Sequence, residues 1–174
     1  MDQPEALRLA AEGFHLWQAG RLPEADLRYR EALAVADPRH SHTPDIHGQY
    51  AGLLTHLRRL SEAGGHLETA LHLELQNEPD EASPMIVRAR YVLGEHYLAM
   101  GEPESARRVV APSLVASDKP LAWLVEAEAL SLAGAVPEAR GAAERAISLA
   151  ANDEQRERMR SRLAELLGDS DAAD

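Results

Sequence analysis

Gly20-Arg-Leu-Pro-Glu-Ala25 is the stretch on which the fold turns, because the same phrase returns as Arg58-Arg-Leu-Ser-Glu-Ala63, Gly101-Glu-Pro-Glu-Ser-Ala106 and Gly134-Ala-Val-Pro-Glu-Ala139. Each copy closes one apolar-periodic stretch with a breaker or a polar residue. It then supplies Pro or Ser where a new helix begins, acids for its first turn, and Ala where two helices must touch. The alanines fall at 25, 63, 106 and 139, so the steps are 38, 43 and 33 residues. That is the period of a helical solenoid, in which each helix pair buries its apolar face on its neighbours.

Working outward from the corners, the pattern predicts an all-α chain with four helix pairs at about 4–37, 44–76, 84–117 and 120–150. A capping helix follows at about 153–167. The expected architecture is a right-handed superhelical solenoid forming a single domain over 1–168, with 169–174 an acidic tail. Thr43-Pro44, Ser83-Pro84 and Lys119-Pro120 put proline at a first helical position, twice behind a hydroxyl expected to cap the helix. Asn152-Asp-Glu-Gln155 resembles a capping box. Pro112 falls inside the second helix of the third pair, which is expected to kink or stop there. In the last helix Met159, Leu163, Leu166 and Leu167 form one apolar stripe, and Arg156, Arg158, Arg160 and Arg162 are expected to meet water.

Composition narrows the function classes. The chain has 174 residues, and its 29 acids against 18 bases give a net charge of −11, which repels phosphate backbones and anionic headgroups. Neither nucleic acid nor a membrane surface is expected as a partner. With no cysteine there is no disulfide, thiolate metal site or cysteine nucleophile. No stretch approaches the ~20 apolar residues of a membrane span, and the acidic start Met1-Asp-Gln-Pro-Glu5 is unlike a secretory leader. A cytoplasmic protein is the expectation. Lys119 is the single lysine among the 18 bases, a bias common in GC-rich bacterial genomes.

Around the corners the chain resembles the tetratricopeptide repeat. The small mid-helix residues of helix A are Gly13, Ala51, Gly94 and Ala127, each followed three positions later by Leu16, Leu54, Tyr97 or Leu130. The helix B pattern reads Ala25/Tyr29/Ala32-Leu33, Ala63/Leu67/Ala70-Leu71, Ala106/Val110/Ser113-Leu114 and Ala139/Ala143/Ala146-Ile147. The second unit lacks the turn Gly. Small residues at these sites let helix axes approach to ~8–10 Å.

The resemblance implies a protein-binding scaffold whose concave groove is lined by helix A. By register that groove would comprise Ala10, Phe14, Trp17 and Gln18; Gly48, Gly52, Thr55 and His56; Arg88, Tyr91, Glu95 and Leu98; and Leu124, Glu128 and Ser131. Phe14 and Trp17 read as anchors for a peptide or helix of a partner, with Gly48 and Gly52 admitting its backbone. The competing reading packs the Leu7, Ala10, Phe14, Trp17 stripe on the protein's own second unit or on a second copy as a homodimer. The groove lacks the Lys and Asn of family members that clamp a C-terminal carboxylate.

His40, His42, His47 and Asp45 form one constellation with metal-ligand residue types, and a metal-binding protein or metal-dependent enzyme is the alternative function it carries. The segment lies in and just after a linker, where solvated side chains are the default. No phosphate loop, nucleophile elbow or His-Glu-x-x-His occurs. The expectation is a non-enzymatic adaptor, scaffold or chaperone-like module, with no catalytic residue, metal or cofactor.

Overall fold

The computed structural model describes residues 1–78, 80–116 and 118–168. The 169–174 tail lies outside them. Among the described residues ten helices follow one another without a strand. The chain divides into two compact units, 1–80 and 81–174.

In the first unit, α1 (Gln3–Gln18) pairs with α2 (Leu22–Val35), and α3 (Thr43–His56) with α4 (Leu60–Asn77). Asp2 caps α1 by accepting from the Glu5 N–H. Gly13 faces the Tyr29 ring, where a Cβ would stand 3.2 Å from two ring carbons. Tyr29 in turn stacks on Tyr50 with centroids 5.4 Å apart. The small residue of α1 is therefore what allows a tyrosine to form the centre of the unit, with Ile46, Leu53 and Leu54 fully buried around it.

In the second unit, α5 (Pro84–Ala99) pairs with α6 (Pro103–Ala116), and α7 (Pro120–Leu132) with α8 (Val136–Ser148). α9 (Asp153–Arg162) and α10 (Ala164–Leu167) close the chain. Gly94 does for α5 what Gly13 does for α1: a Cβ there would stand 2.9 Å from Val125 Cγ1 and 3.2 Å from Val110 Cγ1. Met159 and Leu163 cover a small-residue floor of Ala127, Ala142, Ala143 and Ala146, the expected work of a cap.

The four corners share one hydrogen-bond pattern. Gly20, Arg58, Gly101 and Gly134 donate to the carbonyls of Trp17, Thr55, Leu98 and Ser131, and the next residues donate to Leu16, Leu54, Tyr97 and Leu130. This is the 6→1 and reverse-turn closure of a helix C-terminus, which needs a left-handed residue. The three glycines have φ of 74°, 73° and 79°. Arg58 adopts 60° without being glycine, so the second corner keeps its geometry at a steric cost.

α6 does not stop at Pro112 but runs on to Ala116, with Pro112 on its exposed side. Two sequence expectations are corrected. Thr43 does not cap α3: it lies inside the helix, and its hydroxyl donates to the Asp37 carbonyl at 2.6 Å, tying down the 37–43 link. Ser83 precedes α5 without a side-chain cap bond. Asn152, by contrast, accepts from the Gln155 N–H at 2.8 Å as a cap should.

No described helix is long and apolar enough to cross a membrane.

Candidate functional site

In the first unit the helix A residues gather along α1 and α3. Phe14 is exposed to 38% and meets the half-buried Trp17 edge-on at 6.2 Å. The Trp17 indole lies across Gly52 and 6.3 Å from the exposed His56 ring. One turn back, Leu7, Ala10 and Phe14 of α1 and Ile46 and Gln49 of α3 line a shallow pocket. Gly48 has open space at its Cβ position. Ala10 is itself buried, Gln18 is exposed, and the exposed Thr55 turns its hydroxyl back to the Ala51 carbonyl at 2.9 Å. The surface is thus an aromatic ridge beside a hollow whose apolar lining is joined by His15, His42 and Asp45, and Leu7, 37% exposed, extends it.

The second unit is different in chemistry. Tyr91, Glu95 and Leu98 follow one face of α5, while Glu128 and Ser131 follow α7. Arg162 of α9 reaches into this face: its Nε and Nη2 donate to Glu128 at 2.5 and 2.6 Å. Nη2 also donates to both Glu95 oxygens, at 2.7 and 2.8 Å. Nη1 lies 3.4 Å from the Tyr91 hydroxyl. The two carboxylates hold the guanidinium far above its usual range, against partial burial. Arg162 therefore meets water with only part of its side chain, its guanidinium being drawn onto the two carboxylates. The signal for this was available in its register, since it stands three residues after the buried Met159 and beside the buried Leu163.

Two further expectations are corrected here. Leu124 is 3% exposed and belongs to the core with Ala127 and Ala143, so it lines no open surface. Arg88 is exposed. The histidine constellation does not assemble as read: the His40 and His42 rings lie 5.5 Å apart in the link, tilted by 36°, whereas His47 turns to His66 of α4, with Nδ1 atoms 2.8 Å apart. Burial, and then its neighbour His66, push His47 down to about 4, and burial lowers His66 too. Both rings are consequently neutral near pH 7, one donating to the other. Among the described residues no group of three His, Asp or Glu converges as a metal site would require.

No protein-family model and no curated protein sequence matches the chain. Solved structures do. PilF of Pseudomonas aeruginosa is 26% identical, with a TM-score of 0.65 over 98% of this chain and 72% of that one. Nearly identical TPR-like repeats of a putative kinesin light chain from Podosopora anserina superpose with a TM-score of 0.73 at 17% identity, over 98% of this chain and 91% of that one. A tetratricopeptide repeat protein of Parabacteroides merdae, 23% identical, gives 0.67 over 94% of this chain and 62% of that one. With four left-handed corners, buried small residues where helices cross and this likeness along nearly its whole length, the chain has the helical-repeat fold of the tetratricopeptide-repeat proteins.

Proposed function

We propose that the chain is a non-enzymatic interaction module, an adaptor or chaperone-like scaffold of the cytoplasm, that binds a peptide or helix of a partner protein on its helix A faces. The observation that carries this reading is the Phe14–Trp17 ridge beside the Leu7–Ile46 hollow. A large aromatic pair left at the surface of a chain with only seven aromatic residues is used where it contacts another molecule. The hollow takes an apolar side chain of the partner, and the absence of a Cβ at Gly48 leaves room for its backbone.

The test compares wild type with Phe14→Ala/Trp17→Ala as baits, with bound proteins identified and their affinities measured on purified partners. A partner that binds wild type and is weakened at least ~30-fold (~2 kcal/mol) by the double variant fits an aromatic anchor. Partners held equally by both baits remove this surface from the reading. Light scattering across concentration separates the homodimer: association of wild type that the double variant abolishes makes a second copy the occupant.

A further inference from the structure

We propose that the Glu95–Glu128 face of the second unit is a recognition site for an arginine side chain of a partner segment, and that Arg162 occupies it in cis in the free protein. It is a second surface, distinct from the Phe14–Trp17 ridge, so either can fail alone.

The site is built to the shape of a guanidinium. Glu128 meets one edge of the Arg162 fork with both oxygens, and Glu95 takes the remaining Nη2 hydrogen with both of its own. A planar fork bonded in this way is satisfied only by Arg; an ammonium, a point charge on a flexible stem, reaches fewer of these oxygens. The Tyr91 hydroxyl closes the third side. Two carboxylates from adjacent helix A elements face one cation, so the occupied site keeps a negative surplus within a chain of charge −11.

The occupant is reachable. Arg162, Glu95 and Glu128 keep 37%, 28% and 23% of their side-chain surface in solvent. α9 is seated through Met159 and Leu163, not through Arg162, so the arginine can swing out while the cap stays in place. Beside it opens a notch lined by the apolar Leu98, Leu132 and Leu166 and by the polar Ser131 and Glu165, with Leu132 61% exposed. That notch suits the apolar residues flanking an arginine on a partner's helix or extended segment. Arg162 acts as a competitor held at an effective concentration on the order of millimolar, which a single loose arginine cannot match and a segment with additional apolar contacts can.

The test uses the full-length chain and a minimal probe, N-acetyl-arginine methylamide, titrated while amide chemical shifts of residues in α5 and α7 are followed. Arg162→Ala should show saturable shifts around Glu95 and Glu128 at probe concentrations at least ~10-fold below those needed for wild type. Adding Glu128→Gln should abolish them, and the lysine analogue should bind more weakly. Arg162→Met, which keeps the apolar stem, serves as the second open variant should Arg162→Ala unfold. Identical titrations of wild type and both open variants overturn the cis occupancy. Saturation that survives Glu128→Gln, or lysine binding as well as arginine, overturns the guanidinium site.

Discussion

Trp17 lies so close over Gly52 that a Cβ on the glycine would stand 3.0 Å from the indole Cη2. The contact joins α1 to α3 toward their C-terminal ends and leaves the indole half-buried. Trp17→Ala is expected to cost ~1–2 kcal/mol of stability in urea unfolding, below the ~3–5 kcal/mol of a fully buried aromatic, because only part of the ring leaves an apolar contact. A loss of ~4 kcal/mol or more would place Trp17 in the core and take away the anchor of the proposed surface.

Arg58 has a φ of 60° at a corner where the other three repeats use glycine. The left-handed region costs a residue with a Cβ roughly 1–2 kcal/mol, and glycine gives back part of this through the entropy of the unfolded chain. Arg58→Gly should therefore stabilise the protein by ~0.5–1 kcal/mol. An unchanged or lower denaturation midpoint would show that the corner carries no such strain.

Gly94 and Gly48 both lie inside helices, yet alanine is expected to act on them with opposite signs. A Cβ on Gly94 overlaps Val125 Cγ1 at 2.9 Å, and the two helices must separate to admit it. Gly94→Ala should destabilise by ~1–3 kcal/mol through overpacking. Gly48 has nothing within 4 Å of its Cβ position, so Gly48→Ala should stabilise by ~0.5–1 kcal/mol through helix propensity. Equal effects at the two sites would refute the packing assigned to α5.

The His47–His66 pair makes stability depend on pH. Both rings are held neutral in the folded state, with His47 at about 4, while in the unfolded chain they take up protons near ~6.5. The unfolded state thus binds more protons between these values. Stability from the pair is complete above about pH 6.5 and falls as the pH drops toward 4. His47→Gln should flatten the loss of urea stability between about pH 7.5 and about pH 5; a wild-type slope kept by the variant would locate the dependence elsewhere.

Removal of residues 153–174 uncovers the alanine floor of α8 that Met159 and Leu163 close. The truncated chain should melt at lower temperature and aggregate at concentrations the intact chain tolerates. If residues 1–168 act as a single domain, as we propose, intact protein unfolds in one calorimetric transition. Two separated transitions would divide it at the boundary between the two units.

Much of the architecture was legible because it rests on local chemistry. Pro at helix starts, Gly at the left-handed corners and Ala or Gly at crossings act within a few residues of themselves, so their repetition at steps of 38, 43 and 33 located all four helix pairs. The exposed Phe14 and the half-buried Trp17 were readable in the same way, as a second stripe on a helix that already had one. What lay beyond the sequence were contacts between residues far apart in the chain. Arg162 and Glu95 are 67 positions apart, and no periodicity of α9 says which carboxylates lie within reach once the helix is seated. His47 likewise fits a loop cluster with His40 and His42 by spacing, but helical geometry turns it the other way, onto His66 of the adjoining helix. Helix register decided which side each residue presents; only the packing of one helix on another decided what it meets there.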